Sequence, residues 1–310
     1  MFKEFKEPLL IILVLFVLFG FAYSPLKKTS LQKNSGGSAS TISTNDNQDQ
    51  KDNKNISDNI KDIEKEIKTL EKNINKKIEE SQRSPYYGKV MMSSISGIYQ
   101  DDPNQEYTQL RTNLNKGETV NITGWYLKSE ITGYGAVIGG ASLLPFPFTH
   151  SEEDIILRPG DRVYLTKGFS PIGISFRTNK CTGFFEENRT FTPNLSLNCP
   201  RPIDEDLPTF STNLDANDEC LEIIERIPRC RTRDTWFLKN LPDTVNTTCR
   251  NYIKTQINYN TCVANHFGDF DFPGNEYRIY LGKFGPLWRE RADRINLYDR
   301  NGLIVDIVSY

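Results

Sequence analysis

Residues 294–309 read RINLYDRNGLIVDIVS, and this stretch decides the fold class. Two runs of β-branched and aromatic residues, Arg294–Tyr298 and Ile304–Ser309, stand on either side of Asn301-Gly302. Such a pattern predicts a β-hairpin. Because asparagine and glycine accept left-handed torsions, we expect this dipeptide to form a type I′ turn.

Runs of the same kind recur from Tyr86 onward, separated by residues that favour turns. Short strands at regular spacing are typical of an all-β sandwich, so the sequence predicts a mainly β fold over residues 86–180 and 276–310. The other predicted strands are Gly88–Ser96, Glu106–Thr112, Thr119–Leu127, Tyr134–Ile138, Arg162–Thr166, Ile172–Arg177 and Glu276–Leu281.

The β pattern stops over residues 181–275, and this insertion holds all six cysteines of the chain. Two helices are predicted in it, Asp218–Ile227 and Cys249–Asn258. An even, clustered set of cysteines in an exported chain indicates disulfides. A zinc site is the competing interpretation, but no C-x-x-C pair exists and the histidines are His150 and His266 alone. The cysteines are Cys181, Cys199, Cys220, Cys230, Cys249 and Cys262.

Each predicted helix is bracketed by two cysteines. A disulfide pairing follows if the two helices lie antiparallel. The inner cysteines would meet each other, and so would the outer ones. We therefore predict the bridges Cys230–Cys249, Cys220–Cys262 and Cys181–Cys199, which is one of 15 possible connectivities.

Residues 9–22 read LLIILVLFVLFGFA, without a charge, and lysines stand on both sides. A membrane-spanning helix needs about 20 residues, so this segment is short unless Pro8 and residues 23–26 extend it. A retained anchor is our preferred interpretation, and a signal peptide cleaved before Tyr23 is the alternative. Both make residues 1–28 an export segment and place the bulk of the chain outside the cytoplasm.

Residues 29–55 contain almost no bulky apolar side chains, which predicts a flexible linker. Over residues 56–83 apolar positions recur alternately every four and three residues, which predicts a helix with a coiled-coil period. A parallel dimer would set Glu66 against Glu71 of its partner. Weak homo-oligomerisation through residues 56–78, a trimer, and packing on the chain's own β domain therefore stay open. The apolar positions are Ile56, Ile60, Ile63, Ile67, Leu70 and Ile74.

Charge and motifs argue against several classes of function. The net charge of −2 disfavours nucleic acid as a partner, because phosphate binding needs a basic face. The chain lacks G-x-S-x-G, H-E-x-x-H and P-loop motifs. Two histidines and six oxidised cysteines leave few groups for acid–base or thiol chemistry, so we expect no enzyme and no cofactor. A carboxylate-based hydrolase stays the catalytic alternative.

Two oxygen-rich loops could bind calcium. One contains Asp269, Asp271, Asn275 and Glu276, and the other is Asp204–Asp206. Neither matches the twelve-residue calcium loop. We interpret both as solvated loops and expect no metal site.

Four blocks along the β segments form a further pattern. They are Glu106–Asn113, Val120–Leu127 with the pair Gly124-Trp125, Leu157–Tyr164 with a Pro-Gly turn, and Ile295–Asp306 with the pattern D-x-x-G-x-x-V-D. In this order they resemble the lamin-tail domain, an immunoglobulin-like sandwich of nuclear lamins and of many exported bacterial proteins. The resemblance covers about residues 86–178 and 276–310 and omits the insertion. It implies that Trp125 packs in or beside the core instead of serving as a ligand platform.

These observations together lead to one expected function. We expect a non-enzymatic, single-pass protein of the cell membrane, with a lamin-tail-like domain on the extracytoplasmic side that binds a surface protein or a glycan. A structural envelope protein that assembles through its helix and its sheet edges is the alternative.

Overall fold

The computed structural model of the chain describes residues 46–144 and 151–310. The chain divides between Lys68 and Thr69 into two compact units. The predicted export segment, residues 1–28, lies outside the described residues, and so do residues 29–45 of the predicted linker. Within the described ranges, no helix combines the length and the apolar character needed to cross a membrane.

The first described element is helix α1, which spans Asp46–Ser81. The predicted linker is wrong over residues 46–55, because these residues are helical. They contain neither glycine nor proline, and extending an existing helix costs much less than nucleating one. The apolar side chains along the helix are each between 49% and 59% exposed. They are Ile60, Ile63, Ile67, Leu70, Ile74 and Ile78.

The described part of residues 69–310 is rich in β structure, as predicted, and its strands form three sheets. The five-stranded sheet has the order β1-β2-β7-β9-β8, the four-stranded sheet has the order β11-β10-β4-β5, and β3 pairs with β6. The β7–β9 pair is parallel and the others are antiparallel. The strands are β1 Val90–Met92, β2 Tyr107–Thr112, β3 Val120–Asn121, β4 Tyr126–Ser129, β5 Gly135–Val137, β6 Ile156–Leu157, β7 Arg162–Thr166, β8 Phe176–Asn179, β9 Pro273–Tyr280, β10 Arg294–Tyr298 and β11 Ile304–Ser309.

One hydrophobic core joins the two larger sheets. Leu110 and Val163 enter it from the five-stranded sheet, and Leu127 and Ile295 enter it from the four-stranded sheet. Residues of the predicted Gly-Trp block also belong to this core. Among them, Trp125 is 2% exposed. Burial of apolar area from both sheets is the main stabilising contribution of such an arrangement.

The predicted strand Thr119–Leu127 is wrong as a single element, because it forms two strands, β3 and β4, that belong to different sheets. Gly124 lies between them with φ +82°, a left-handed torsion that glycine adopts without strain. A β carbon at this position would lie 2.9 Å from Nε of Arg300. The predicted strand Ile172–Arg177 is displaced toward residues 176–179, and β6 was not predicted at all.

The closing hairpin is confirmed in its strands, but the predicted type I′ turn is wrong. Gly302 has φ +79°, whereas Asn301 does not have a positive φ. The Gly302 N–H donates to the carbonyl of Asp299 at 3.0 Å, and the Asp299 N–H donates to the carbonyl of Leu303 at 2.9 Å. This is the three-residue loop in which a left-handed glycine follows a type I turn. The Asp299 carboxylate favours it by accepting from the N–H groups of Asn301 and Leu303.

The insertion connects β8 to β9, which are neighbours in the sheet, so its two ends lie close together. Pro273 already belongs to β9, so the last three residues of the predicted range, 273–275, lie in the sheet. Four helices form where two were predicted, because the segments after each predicted helix carry their own caps: Asp234 for α3 and Asn258 for α5. The helices are α2 Leu214–Glu225, α3 Thr235–Lys239, α4 Thr247–Gln256 and α5 Tyr259–His266.

All six cysteines form disulfides, but the predicted pairing, Cys230–Cys249, Cys220–Cys262 and Cys181–Cys199, is wrong. The observed bridges are Cys181–Cys262, Cys199–Cys230 and Cys220–Cys249. The prediction assumed one antiparallel pair of helices with cysteines at its ends. Instead, α2 begins earlier, so that Cys220 lies inside it, and Cys262 lies on the unpredicted helix α5. Cys230 follows α2 in a left-handed conformation, φ +56°, and reaches back to Cys199.

Arg278 on β9 attaches the insertion to the five-stranded sheet. Its side chain is 2% exposed and lies 4.5 Å from the ring centre of Tyr164. The guanidinium donates to the carbonyls of Pro193 and Asn194 in the insertion, and it pairs with Glu276 at 2.6 Å. A buried charge is stable only when it is paired and hydrogen-bonded, and these contacts fulfil both conditions.

Candidate functional site

Strand β5 is an edge strand of the four-stranded sheet, and β4 is its one neighbour in that sheet. The Ile138 N–H donates to the carbonyl of Trp125, and the Ser129 N–H donates to the carbonyl of Tyr134. In an antiparallel pair the groups that face the partner alternate along the strand. The register Tyr126↔Val137 therefore turns the N–H and C=O groups of Gly135 and Val137 away from β4. These backbone groups form the free edge of the sheet.

An open groove of about 420 Å³ lies beside β4 and β5. Tyr126, Ala136, Val137, Leu281 and Lys283 are among the residues that line it. Val137 is 64% exposed, although it is fully apolar. We call this the β5 groove.

Two stacked tyrosines cover the sheet surface next to the β5 groove. The rings of Tyr126 and Tyr298 lie 4.7 Å apart with an angle of 14° between their planes, and both residues are half-buried. Burial, with smaller effects from Tyr298 and Asp299, raises the pKa of the Tyr126 hydroxyl. That hydroxyl therefore stays protonated and available as a hydrogen-bond donor across the physiological pH range.

The charge at the β5 groove comes from two lysines. Lys128 lies on β4 and Lys283 follows β9, and both side chains are exposed. Within the described ranges neither ammonium lies within ion-pair distance of a carboxylate, whereas Lys89, Lys167 and Lys180 each have one. The groove therefore combines apolar and aromatic surface with two positive charges that have no carboxylate partner among the described residues.

A second cluster of titratable groups surrounds His266 at the end of α5. Its Nδ1 lies 2.8 Å from Asp269 and its Nε2 lies 2.9 Å from Glu205. Because carboxylates only accept hydrogen bonds, both ring nitrogens must carry protons to satisfy both contacts. Burial lowers the pKa of His266, but the hydrogen bonds to Glu205 and Asp269 raise it by a larger amount. The net shift of this pKa is therefore upward. The protonated imidazole thus joins two loops of the insertion.

The side chains considered above as candidate calcium ligands contact cations and amides of the chain instead. Lys180 binds Asp269 at 2.7 Å and Asp271 at 2.6 Å, so its ammonium lies where a metal ion would have to bind. Glu276 pairs with Arg278, and Asn275 donates to the carbonyl of Gly160. In the loop 204–206, Glu205 contacts His266 and Asn265. Across the described residues, no group of acidic, histidine or cysteine side chains is arranged to hold a metal ion.

Other buried carboxylates are engaged in the core. Glu106 accepts from Lys167 at 2.5 Å and from the indole N–H of Trp288 at 2.9 Å. Asp293 accepts from the hydroxyl of Ser129 and from the N–H groups of Arg289 and Arg294. Each carboxylate is saturated by donors that fix loops to sheets, which is a structural role.

Sequence reasoning placed Trp125 in the core, where it packs 5.6 Å from the ring of Tyr86. It did not find the β5 groove. Tyr126 and Val137 lie in predicted strands and Lys128 directly follows one, but strand alternation alone does not show which face is covered by another layer. The run Tyr134-Gly-Ala-Val137 contained the one sequence signal for an unprotected edge strand, since it carries neither charge nor proline.

Comparison with known proteins identifies no relative of this chain: no protein-family model matches it, and neither a curated protein nor a solved structure does. The resemblance to the lamin-tail domain therefore depends on the four sequence blocks alone.

Proposed function

We propose that this chain is a non-enzymatic, membrane-anchored protein whose β domain binds a protein or a glycan outside the cytoplasm. The β domain would be an immunoglobulin-like sandwich of the lamin-tail type. The single observation that carries the proposal is the β5 groove, where exposed apolar surface, stacked tyrosines and uncompensated lysines meet. Aromatic and apolar walls with a few polar groups are typical of ligand-binding sites.

Several features support the proposed fold type. Two sheets contribute to one core, and residues of the Gly-Trp block lie at the point where the chain passes from β3 to β4. Both aspartates of the closing block have defined contacts, since Asp299 caps the hairpin turn and Asp306 contacts β1.

The proposed location is supported by the three disulfides and by the uncharged run at residues 9–22. Disulfides of this kind persist in oxidising compartments outside the cytoplasm. Mass spectrometry of the mature protein from its native membrane tests the anchor. An intact N-terminus supports a retained anchor, whereas a protein that begins at Tyr23 supports the cleaved signal peptide.

Binding is tested with the full chain in detergent micelles. Co-sedimentation with insoluble cell-wall glycan tests the glycan class, and cross-linking to intact cells tests surface proteins. We expect saturable binding in one of the two assays, weakened about tenfold, or about 1.4 kcal/mol, by Tyr126→Ala. Tyr99→Ala is the matched control, because Tyr99 is 66% exposed and does not line the β5 groove. Absence of saturable binding in both assays contradicts the proposal.

One observation favours a second function, structural self-assembly. The apolar residues of α1 form an exposed stripe at coiled-coil spacing, and exposed apolar stripes of this kind mark association surfaces. Sedimentation velocity of the full chain tests this function. We expect an oligomer that dissociates in the double variant Ile63→Asn/Ile67→Asn and persists in the control Lys68→Asn/Lys72→Asn. A monomer at all concentrations contradicts it.

A further inference from the structure

We propose that the free edge of β5 binds an extended acidic peptide as an additional strand of the four-stranded sheet. The inference rests on the proposed function, because it names the ligand class of the β5 groove. Strand addition of this type derives its affinity from backbone hydrogen bonds and its specificity from pockets for alternate side chains.

The backbone of β5 provides the hydrogen-bonding groups. Gly135 and Val137 direct one N–H and one C=O each away from β4, and within the described residues no other strand pairs with this edge. A strand placed alongside would lie about 4.8 Å away and could form up to four hydrogen bonds with these two residues. Side chains of this strand would reach the adjoining β5 groove, which has a volume of about 420 Å³.

The walls of the β5 groove suit alternate side chains of such a peptide. Ala136 and Leu281, both members of the hydrophobic core, lie on the core side of the sheet edge. Tyr126, Lys128 and Val137 share the outer face, because residues two apart on a strand and those directly opposite point to the same side. Tyr134, at the start of β5, is 58% exposed. Every second residue of a bound strand faces the same side, so the apolar contacts require an alternating apolar pattern in the peptide.

The charges of the groove determine the remaining positions of the peptide. Lys128 lies on this outer face and Lys283 also lines the groove, both without a carboxylate partner among the described residues. Electrostatic complementarity between a groove and its ligand steers association and excludes wrong partners. Acidic side chains on the outer face of the added strand would lie next to Lys128, in a groove that also presents Lys283.

Lysines near an edge strand have a simpler interpretation, because proteins use them to prevent sheets from pairing edge to edge. The edge residues themselves argue against protection alone. Protected edges carry proline, charge or a bulge, whereas the outward groups of β5 belong to a glycine and to a valine that is 64% exposed. The lysines flank this edge and do not cover it.

Fluorescence anisotropy tests the proposal with the full chain in detergent micelles and a labelled peptide of alternating glutamate and valine. We expect saturable binding that weakens as salt is added, and no binding of the same peptide with proline in place of valine. Val137→Pro removes the outward N–H without touching the bonds to β4, a position that tolerates proline. We expect it to weaken binding at least tenfold.

Charge reversal supplies a second variant that leaves the backbone unchanged. The double variant Lys128→Glu/Lys283→Glu is expected to lose the glutamate peptide and to bind a lysine–valine peptide instead. Hydrogen exchange gives a direct readout, since the amide of Val137 should become protected only when the glutamate peptide is present. Urea unfolding of both variants shows that they are folded.

Three results would overturn the inference. The first is absence of peptide binding by the wild-type chain, and the second is binding without protection of the Val137 amide. The third is self-association that Val137→Pro abolishes, which would make a second copy of the chain the occupant. If the chain still binds cell-wall glycan or a surface protein in the assays for the proposed function, only the inference fails and the proposed function stands.

Discussion

The N–H of Met92 donates a hydrogen bond to Oδ2 of Asp306 at 2.6 Å. Met92 lies on β1 and Asp306 on β11, which are edge strands of the two larger sheets. The contact therefore closes the side of the core where these two edges meet. A charged acceptor makes the hydrogen bond stronger than one between neutral groups.

Replacing this carboxylate should destabilise the β domain. We expect Asp306→Ala to lower the free energy of unfolding by about 1–3 kcal/mol, because the half-buried N–H of Met92 loses its acceptor. Asp306→Asn keeps an oxygen acceptor and should cost less. Urea denaturation of the full chain measures both values. Asp101→Ala, at an exposed position, is the control, and a similar cost for this control would contradict the role of Asp306.

The disulfide pairing gives the most direct test of the insertion. Non-reducing peptide mapping should yield fragments that join Cys181 to Cys262, Cys199 to Cys230 and Cys220 to Cys249. Any other pairing contradicts the structure.

Removing the bridges should also rank them by the length of chain that each one closes. Cys181–Cys262 spans 81 residues, against 31 and 29 for the other two. The chain-entropy relation gives about 4.5 kcal/mol for the long loop and about 3.6 kcal/mol for the short ones. Thermal unfolding of the three paired cysteine-to-serine variants measures the order, and equal losses would indicate that native-state strain outweighs loop entropy.

Arg278 should determine how firmly the insertion is attached. Arg278→Met is expected to lower the free energy of unfolding by about 1–3 kcal/mol, because the carbonyls of Pro193 and Asn194 lose their donor. Glu276 loses its nearer cation and keeps Arg162 at 3.7 Å. Arg278→Lys should recover only part of this loss, because one ammonium cannot replace the fork that reaches Pro193, Asn194 and Glu276.

Hydrogen exchange distinguishes a local role for Arg278 from a global one. In Arg278→Met we expect faster exchange near residues 193–195 at denaturant concentrations where β10 and β11 stay protected. Arg294→Lys is the control, because Arg294 is half-exposed and pairs with Glu130 at the surface. Uniform loss of protection over both regions would show that Arg278 supports the whole domain and not the insertion specifically.

His266 should make the stability of the insertion dependent on pH. Its pKa in the folded protein lies above the usual value because of Glu205 and Asp269, although burial acts in the opposite direction. A raised folded pKa gives stability that is fully present below the unfolded pKa of about 6.5 and is lost as pH rises through the folded pKa. We therefore expect the difference in unfolding free energy between the wild type and His266→Gln to shrink as the pH rises above about 6.5.

Two charged groups near His266, Asp269 and Lys180, keep their charges near neutral pH. Asp269 has a lowered pKa, first because of Lys180 and then because of His266, and Lys180 has a raised pKa because of Asp269 and Asp271. Both therefore stay ionised between about pH 6 and about pH 9. A difference that grows with pH would contradict the protonated form of His266.

The sequence by itself determined several of the strands, the approximate place of the insertion and that its cysteines are oxidised. Arg162–Thr166, Arg294–Tyr298 and Ile304–Ser309 have their predicted bounds, because β-branched and aromatic residues at a period of two have few alternatives to a half-buried strand. The number and the clustering of the cysteines are likewise properties of the sequence, and they indicated disulfides.

Only the tertiary structure decided the contacts between distant segments. Cys181 and Cys262 are bridged across 81 residues because an unpredicted helix brings them together, and Arg300, far along the chain, packs against Gly124. The β5 groove arises in the same way, since Lys128 lies on β4 of one sheet and Lys283 follows β9 of another. Local propensity acts within a few residues, whereas pairing and packing depend on which surfaces the complete fold leaves uncovered.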